Sequence, residues 1–460
     1  MVTVTCIRAT GAANLPGTVS MIHDAQRQPL MGATAAAARH YDEAMRAYAL
    51  SYGDTLGALD AALSETPHFT MAILFKAWVM VLANDVPMAA KAKPLIAAAK
   101  EMDQGERERT HLAALTHAVE GHRHSATTVL DRYLLAAPHD LLAHAAAMFL
   151  DAFQGRFHRV RDRSARALPL WSKDQPGYGL LLAYYGFGLE EAGQYAQAET
   201  VSRAAAKLEP HGYWPHHAVS HVMEMTGRPD DGLQWMAERE PLWSDKLNVS
   251  RVHIWWHKAL FHMELGDKDA ALAIYDGPIL ETQRPVGVSL TNATALLWRL
   301  ETLGAESGQR WRDLADIWSG HADGRLCLFA DIHAAMTQIR AGRTSELEAL
   351  KSQMRMTASD GGDSSAAYRD LGLPLVAGLE AFTAGDHRAA VEHLWNARPH
   401  LMLLGGSFAQ RDVIDWTMME AAIRAGMGSV AVALANERIA LRPESLPNRR
   451  FLAEAEKLAA

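Results

Sequence analysis

A glycine returns along this chain at intervals of one helical hairpin, each time followed by a short polar stretch and often by alanine. Gly121 and Gly155 are 34 residues apart, as are Gly193 and Gly227. Gly227 to Gly266 is 39, Gly266 to Gly304 and Gly304 to Gly342 are each 38, and Gly385 and Gly426 follow at 43 and 41. No strand-like alternation accompanies the period. Such a repeat predicts an array of antiparallel helical hairpins, each unit burying its apolar face only against its neighbours.

The clearest unit runs from Gly179 to Gly212. Gly193 sits where two helices must turn, a position that favours a residue tolerating positive φ. Gly186, Ala198 and Ala205 are small enough for close helix crossings, Tyr195 opens the second helix, and Pro210 helps to stop it. Gly186, Gly193, Tyr195, Ala198, Ala205 and Pro210 match the tetratricopeptide pattern position by position. The predicted fold is therefore all-α, a tetratricopeptide-like α-solenoid or superhelix with irregular repeats of 34–43 residues.

Composition narrows the function. Apolar residues make up 49% of the 460, ample for a core, and the net charge is −8. That charge, with no block of lysine and arginine, argues against a nucleic-acid partner, which would show a basic stripe. Cys6 and Cys327 are too few for a disulfide framework or a thiolate metal site. Met1–Ser20 lacks a basic region followed by a long apolar run, and no apolar run is long enough to span a bilayer. The expectation is a soluble, cytoplasmic protein without a membrane partner, able to form a homodimer through its solenoid ends.

Three segments are expected: an arm or cap over 1–35, the helical-repeat superhelix over 36–355, and C-terminal hairpins with a cap over 356–460, continuous with the solenoid. Met356–Ser365, with Asp360-Gly361-Gly362-Asp363, reads as a flexible loop. Gly405-Gly406-Ser407 is not flanked by the strand and helix that a phosphate loop or dinucleotide fingerprint requires.

The register places the chemistry. In these superhelices the first helix of each hairpin lines the concave face. His217, His221 and Glu224, ahead of Gly227, are spaced i, i+4 and i+7; at about 100° per residue they share one helix face. His253 and His257, with Glu264 beyond, share a face ahead of Gly266. First helices of consecutive repeats are spatial neighbours, so four histidines converge on one wall. Two readings follow from the same residues. The histidines, with Glu224, act as general acid and base, since imidazole titrates near neutrality. Alternatively, His217, His221, His253 and His257 share a divalent metal, because rings at i and i+4 meet above one turn. The first needs no cofactor and is preferred; the bland third reading is histidine serving as an interhelical hydrogen-bond donor.

Other groups reach the same surface: Arg299 before Gly304, Asp331 and His333 before Gly342, and Gln410, Arg411 and Asp412 on the helix before Gly426. A buried arginine needs a partner, either an internal carboxylate or an anionic ligand. Tyr178 and Trp256 complete the candidate ligand wall, with packing as their plainer role.

The runs Tyr178–Gly193, His217–Met225, Trp256–Gly266, Leu296–Leu300, Asp331–Met336 and Gly405–Val413 together resemble the tetratricopeptide repeat protein 38 family, over most of the chain from about residue 40. The resemblance implies the helical-repeat fold and a pocket shared by the histidine runs and the Gly405–Asp412 run. It brings no general activity. The chain departs from the family at Phe408, Asn292 and Ala330, where histidine, aspartate and asparagine are frequent, so its ligand need not be the family's. The functional expectation is a His/Glu/Arg-lined pocket that binds or transforms a small polar, possibly anionic, molecule by acid–base chemistry. The alternatives are a non-enzymatic protein- or peptide-binding scaffold and a metal-dependent hydrolase or lyase. A closed interior favours the small molecule and an open groove the peptide.

Overall fold

The computed structural model describes residues 21–281 and 286–460. Cys6 and most of the expected arm lie outside them. The described residues form a tetratricopeptide-like all-α solenoid, with hairpins from Ala35–Leu50 paired to Thr55–Glu65 through Phe408–Arg424 paired to Gly428–Leu441, and a closing helix, Leu446–Ala459. All nine repeat glycines take left-handed backbone, from φ +65° at Gly426 to +88° at Gly121, which is why the turn selects glycine. Among the described residues no helix is long and apolar enough to cross a membrane.

The two helices of a hairpin differ in burial. Second helices are amphipathic: Tyr195–Leu208 buries only Ala198, Ser202, Ala205 and Ala206. First helices are buried nearly all round, as in Thr70–Leu82, Gly287–Thr302 and Leu328–Ala341. A helix apolar on every side needs neighbours on every side. They come from distant repeats, because the superhelix turns back on itself. Gly406 N donates to Ala152 O (3.1 Å), Gly287 N to Asp85 Oδ2 (3.0 Å), and Arg123 Nε to Leu326 O (3.2 Å). The segment expected to be a flexible loop is part of this closure. Helix Thr344–Ser359 runs into it, and the turn that remains is tied by Asp360 Oδ1, which accepts from Gly362 N (2.8 Å) and Ser365 Oγ (2.6 Å), and by Asp363, which accepts from Ser125 N (3.1 Å).

Two glycines separate the cost of the turn from the cost of closure. A Cβ on Gly304 (φ +81°) would meet nothing within 4 Å, whereas one on Gly155 (φ +67°) would lie 1.9 Å from the Met402 carbonyl oxygen. Gly304→Ala is expected to lose about 1–2 kcal/mol from left-handed backbone alone. Gly155→Ala is expected to lose a further ~1–3 kcal/mol from forced displacement. Urea midpoints check this; equal losses would deny the close approach.

Candidate functional site

The site sits where three consecutive first helices meet: Tyr178–Glu191, Tyr213–Met225 and Arg251–Glu264. Pro215 lies in the first turn of the second, where its missing N–H is not needed. Every residue of that helix is buried. His217 and His221 leave it one turn apart, and His253 and His257 leave the neighbouring helix with the same spacing. Aromatic rings fix the imidazoles. Tyr213 stacks on His217 (centroids 4.9 Å, 18° between planes), Trp256 on His253 (5.2 Å, 12°), and Phe187 packs against His217 and His221.

One nitrogen from each of the four histidines lies within 4.8 Å of the other three. His217 Nε2 is 2.9 Å from His221 Nε2 and also 2.9 Å from His253 Nε2. The opposite edges of the rings settle where the protons are. His253 Nδ1 donates to Asn292 Oδ1 (2.6 Å), an orientation fixed because Asn292 Nδ2 donates to the carbonyls of Val288 and Ser289. His257 Nδ1 lies 3.1 Å from Glu224 Oε2 and donates to it when that carboxyl is ionised. His253 therefore turns an Nε2 lone pair inward, and His257 does the same when Glu224 is ionised. His257 Nε2 is buried without a hydrogen-bond partner. His221 Nδ1 lies 3.5 Å from Glu190 Oε2, also unpartnered.

A neutral imidazole nitrogen carries one proton or one lone pair. His217 Nε2 therefore cannot hydrogen-bond to two nitrogens at 2.9 Å, one of which already presents a lone pair. The over-subscription disappears if a cation lies between them. Burial, followed by the neighbouring imidazoles, holds the pKa of His217 well below its ordinary value; burial also lowers His221 and His257, and brings His253 to about 4. All four rings are neutral at pH 7, the state in which imidazole binds a metal. The donor set, all imidazole with carboxylate or amide behind three of the rings, suits zinc, iron, copper or nickel.

Behind the histidines is a layer of buried charge. Burial raises Glu224 to about 7 against the lowering effect of Arg442. Glu190 and Glu191 are raised by burial, and Arg411 opposes the shift at Glu191. Arg442 lies 3.8 Å from Glu224, 3.4 Å from Glu264 and 3.3 Å from Asp412. Asp412 accepts a bidentate pair from Arg438 (2.8 and 3.2 Å). Burial pushes its carboxyl up, but Arg438, Arg442 and Arg299 outweigh that and hold it well below the usual range. A cavity of about 20 Å³, room for one water, lies among Glu224, Glu264, Arg299, Asp412 and Arg442.

Of the residues singled out by sequence, the structure brings together His217, His221, Glu224, His253, His257 and Trp256. Arg411 is adjacent through Glu191 (3.5 Å) and bonds the Gly406 carbonyl. Arg299 donates to the carbonyls of Ala295 and Ala409 under the Trp256 ring, and Asp412 belongs to the arginine cluster. The arginines thus have internal partners. Asp331 accepts from Tyr368 Oη (2.6 Å) and Gly324 N (2.9 Å), and His333 bonds Phe329 O (2.7 Å). Gln410 caps its own helix through Ser407, and Tyr178 is half-buried against the core. Glu264 leaves the histidine face for Arg442. Glu190, Glu191 and Arg442 were not among the candidates; Glu190-Glu191 stands just before the turn glycine of the clearest repeat, where it reads as helix-end polarity.

No family model matches the chain. Among solved structures it is similar to a human IFIT1 dimer with m7Gppp-AAAA, at 14% identity and TM-score 0.42, over 92% of this chain and 95% of that one. It is also similar to a human IFIT1 dimer with PPP-AAAA, at 13% identity and TM-score 0.38, over 81% and 86%. A monomeric IFIT1 mutant with Gppp-AAAA aligns at 14% identity and TM-score 0.41, over 91% and 95%. These neighbours correct one expectation. The expected exclusion of a nucleic-acid partner from the net charge of −8 is withdrawn; these neighbours were themselves solved with capped or triphosphate RNA. Net charge averages the whole surface, whereas a solenoid offers its ligand one inner face.

Proposed function

We propose that this chain is a metalloprotein in which His217, His221, His253 and His257 hold one divalent first-row transition-metal ion, and that it binds or transforms a small molecule there. The observation that carries this reading is the convergence of four imidazole nitrogens that their hydrogen bonds cannot satisfy. A bound ion would supply Lewis acidity and a site for an exchangeable water or substrate. The chain's own residues would do the positioning: Glu224 and Asn292 hold the protons of His257 and His253 on Nδ1 and aim Nε2 inward. The interior closed by distant repeats supports a small molecule over an extended peptide. The histidine runs and the Gly405–Val413 run support membership of the tetratricopeptide repeat protein 38 family as part of this proposal.

Glu224→Gln tests the supporting role. The amide keeps the size but loses the carboxylate behind His257, and metal affinity is expected to fall by about 10–100-fold. Competition with a chromophoric chelator measures it; unchanged affinity would remove Glu224 from the site.

A further inference from the structure

The four imidazoles also carry information about the coordination sphere. Six centroid distances connect the four rings. Five are similar: His217–His221 4.3 Å, His221–His257 4.4 Å, His253–His257 4.7 Å, His217–His253 4.8 Å and His217–His257 5.1 Å. The sixth, His221–His253, is 6.5 Å. A tetrahedron makes all six distances equal, and a square makes two of them long. Four corners of an octahedron that leave two adjacent corners open make one long and five short. In that case the trans pair exceeds the cis pairs by a factor of about 1.4, so 4.3–5.1 Å scales to about 6.1–7.2 Å. The observed 6.5 Å falls inside that range. Two of the five cis donor contacts are already in place. With metal–nitrogen bonds of about 2.1 Å, cis donors are about 3.0 Å apart and tetrahedral donors about 3.4 Å; His217 Nε2 is 2.9 Å from two neighbours.

Resting on the metal-centre reading above, we infer that the four histidines occupy four positions of an octahedron and leave two adjacent positions for a small anionic ligand with two oxygen donors. The anion follows from the donors: four neutral imidazoles leave the charge of a divalent ion uncompensated in its own coordination sphere. Arg299 and Arg411, already bonded to carbonyls and to Glu191, are not needed to hold the ligand. His253 is the one histidine of the four that is not fully buried, so its edge is the side from which a ligand arrives. The trans pair is His221 and His253, and the open positions lie opposite His217 and His257.

The test uses the full chain loaded with cobalt(II), read by X-ray absorption and by visible d–d bands, with oxalate as the chelating probe and azide as the one-donor probe. The expected result is six nitrogen or oxygen donors and weak bands, shifted saturably by oxalate at lower concentration than by azide. Four donors with the intense bands of tetrahedral cobalt, unmoved by either anion, would overturn the inference while leaving the metal centre standing. Five donors with azide binding but no preference for oxalate would overturn the two-position geometry in the same way. Failure to take up cobalt, zinc or iron at all would instead overturn the metal reading on which it rests.

Discussion

Purified chain carrying His221→Ala and His257→Ala is expected to lose essentially all of its bound transition metal while keeping its helical far-ultraviolet spectrum. Each substitution removes a ligand outright, so each should cost more than the ~10–100-fold that loss of an outer hydrogen-bond partner costs; together they reduce a four-imidazole centre to two donors on different helices. The fold should survive. These two rings are held in the interior by edge-to-face contacts with Phe187 and Trp256, by Glu224 and by one another, whereas the hairpins are held by the apolar contacts of whole helices. Elemental analysis of parent and double variant, expressed and purified alike, gives the comparison. Equal metal in both would place any ion elsewhere. Chelation is expected to lower the unfolding temperature of the parent and not that of the double variant, because an ion bound only by the folded chain stabilises it, while the helical spectrum is kept in both.

Asp412→Asn carries the largest expected effect on stability. The side chain keeps its shape, but the guanidinium groups of Arg438 and Arg442 lose the carboxylate that both engage, deep among Trp416, Glu264 and Glu224. Removing one partner from a buried ion pair costs about 3–5 kcal/mol, because the remaining charge stays buried. The pH dependence follows from the direction of the shift. Asp412 is held below its unfolded value, so its contribution is fully present above about pH 4 and fades as pH falls through the native pKa. The stability gap between Asp412→Asn and parent should be constant from pH 7 to about 5 and narrow below about 4. Urea titrations at several pH values measure it; a gap that widens in acid would contradict the assignment.

The fold was legible because its punctuation is local. A turn that needs left-handed backbone selects glycine wherever it occurs, so Gly193, Gly227 and Gly266 mark the hairpins without any knowledge of packing. The histidines were legible for a related reason: i, i+4 spacing on the first helices of adjacent repeats fixes their direction before any side chain is placed. What resisted was long-range. Phe408 N donates to Glu191 across 217 residues, and Arg442 reaches Glu264 across 178. No spacing rule relates such positions, because they are set by how far the superhelix turns, which depends on the sum of small angles between all hairpins. The same closure assigns Arg299, Arg411 and Asp412 to internal bonds. Sequence alone could say only that buried arginine needs a partner, either internal or a ligand. It also could not say which ring nitrogen carries the proton, which Asn292 decides for His253 from 39 residues away.

The central claim, that the four histidines hold one ion, is most directly tested by anomalous X-ray diffraction from crystals of the tag-free chain, at the absorption edge of whichever metal elemental analysis finds. The account predicts a single strong anomalous peak within about 2.0–2.2 Å of His217, His221, His253 and His257 Nε2. A protein that stays metal-free after incubation with zinc, iron and copper, or an anomalous peak away from these four rings, would contradict it.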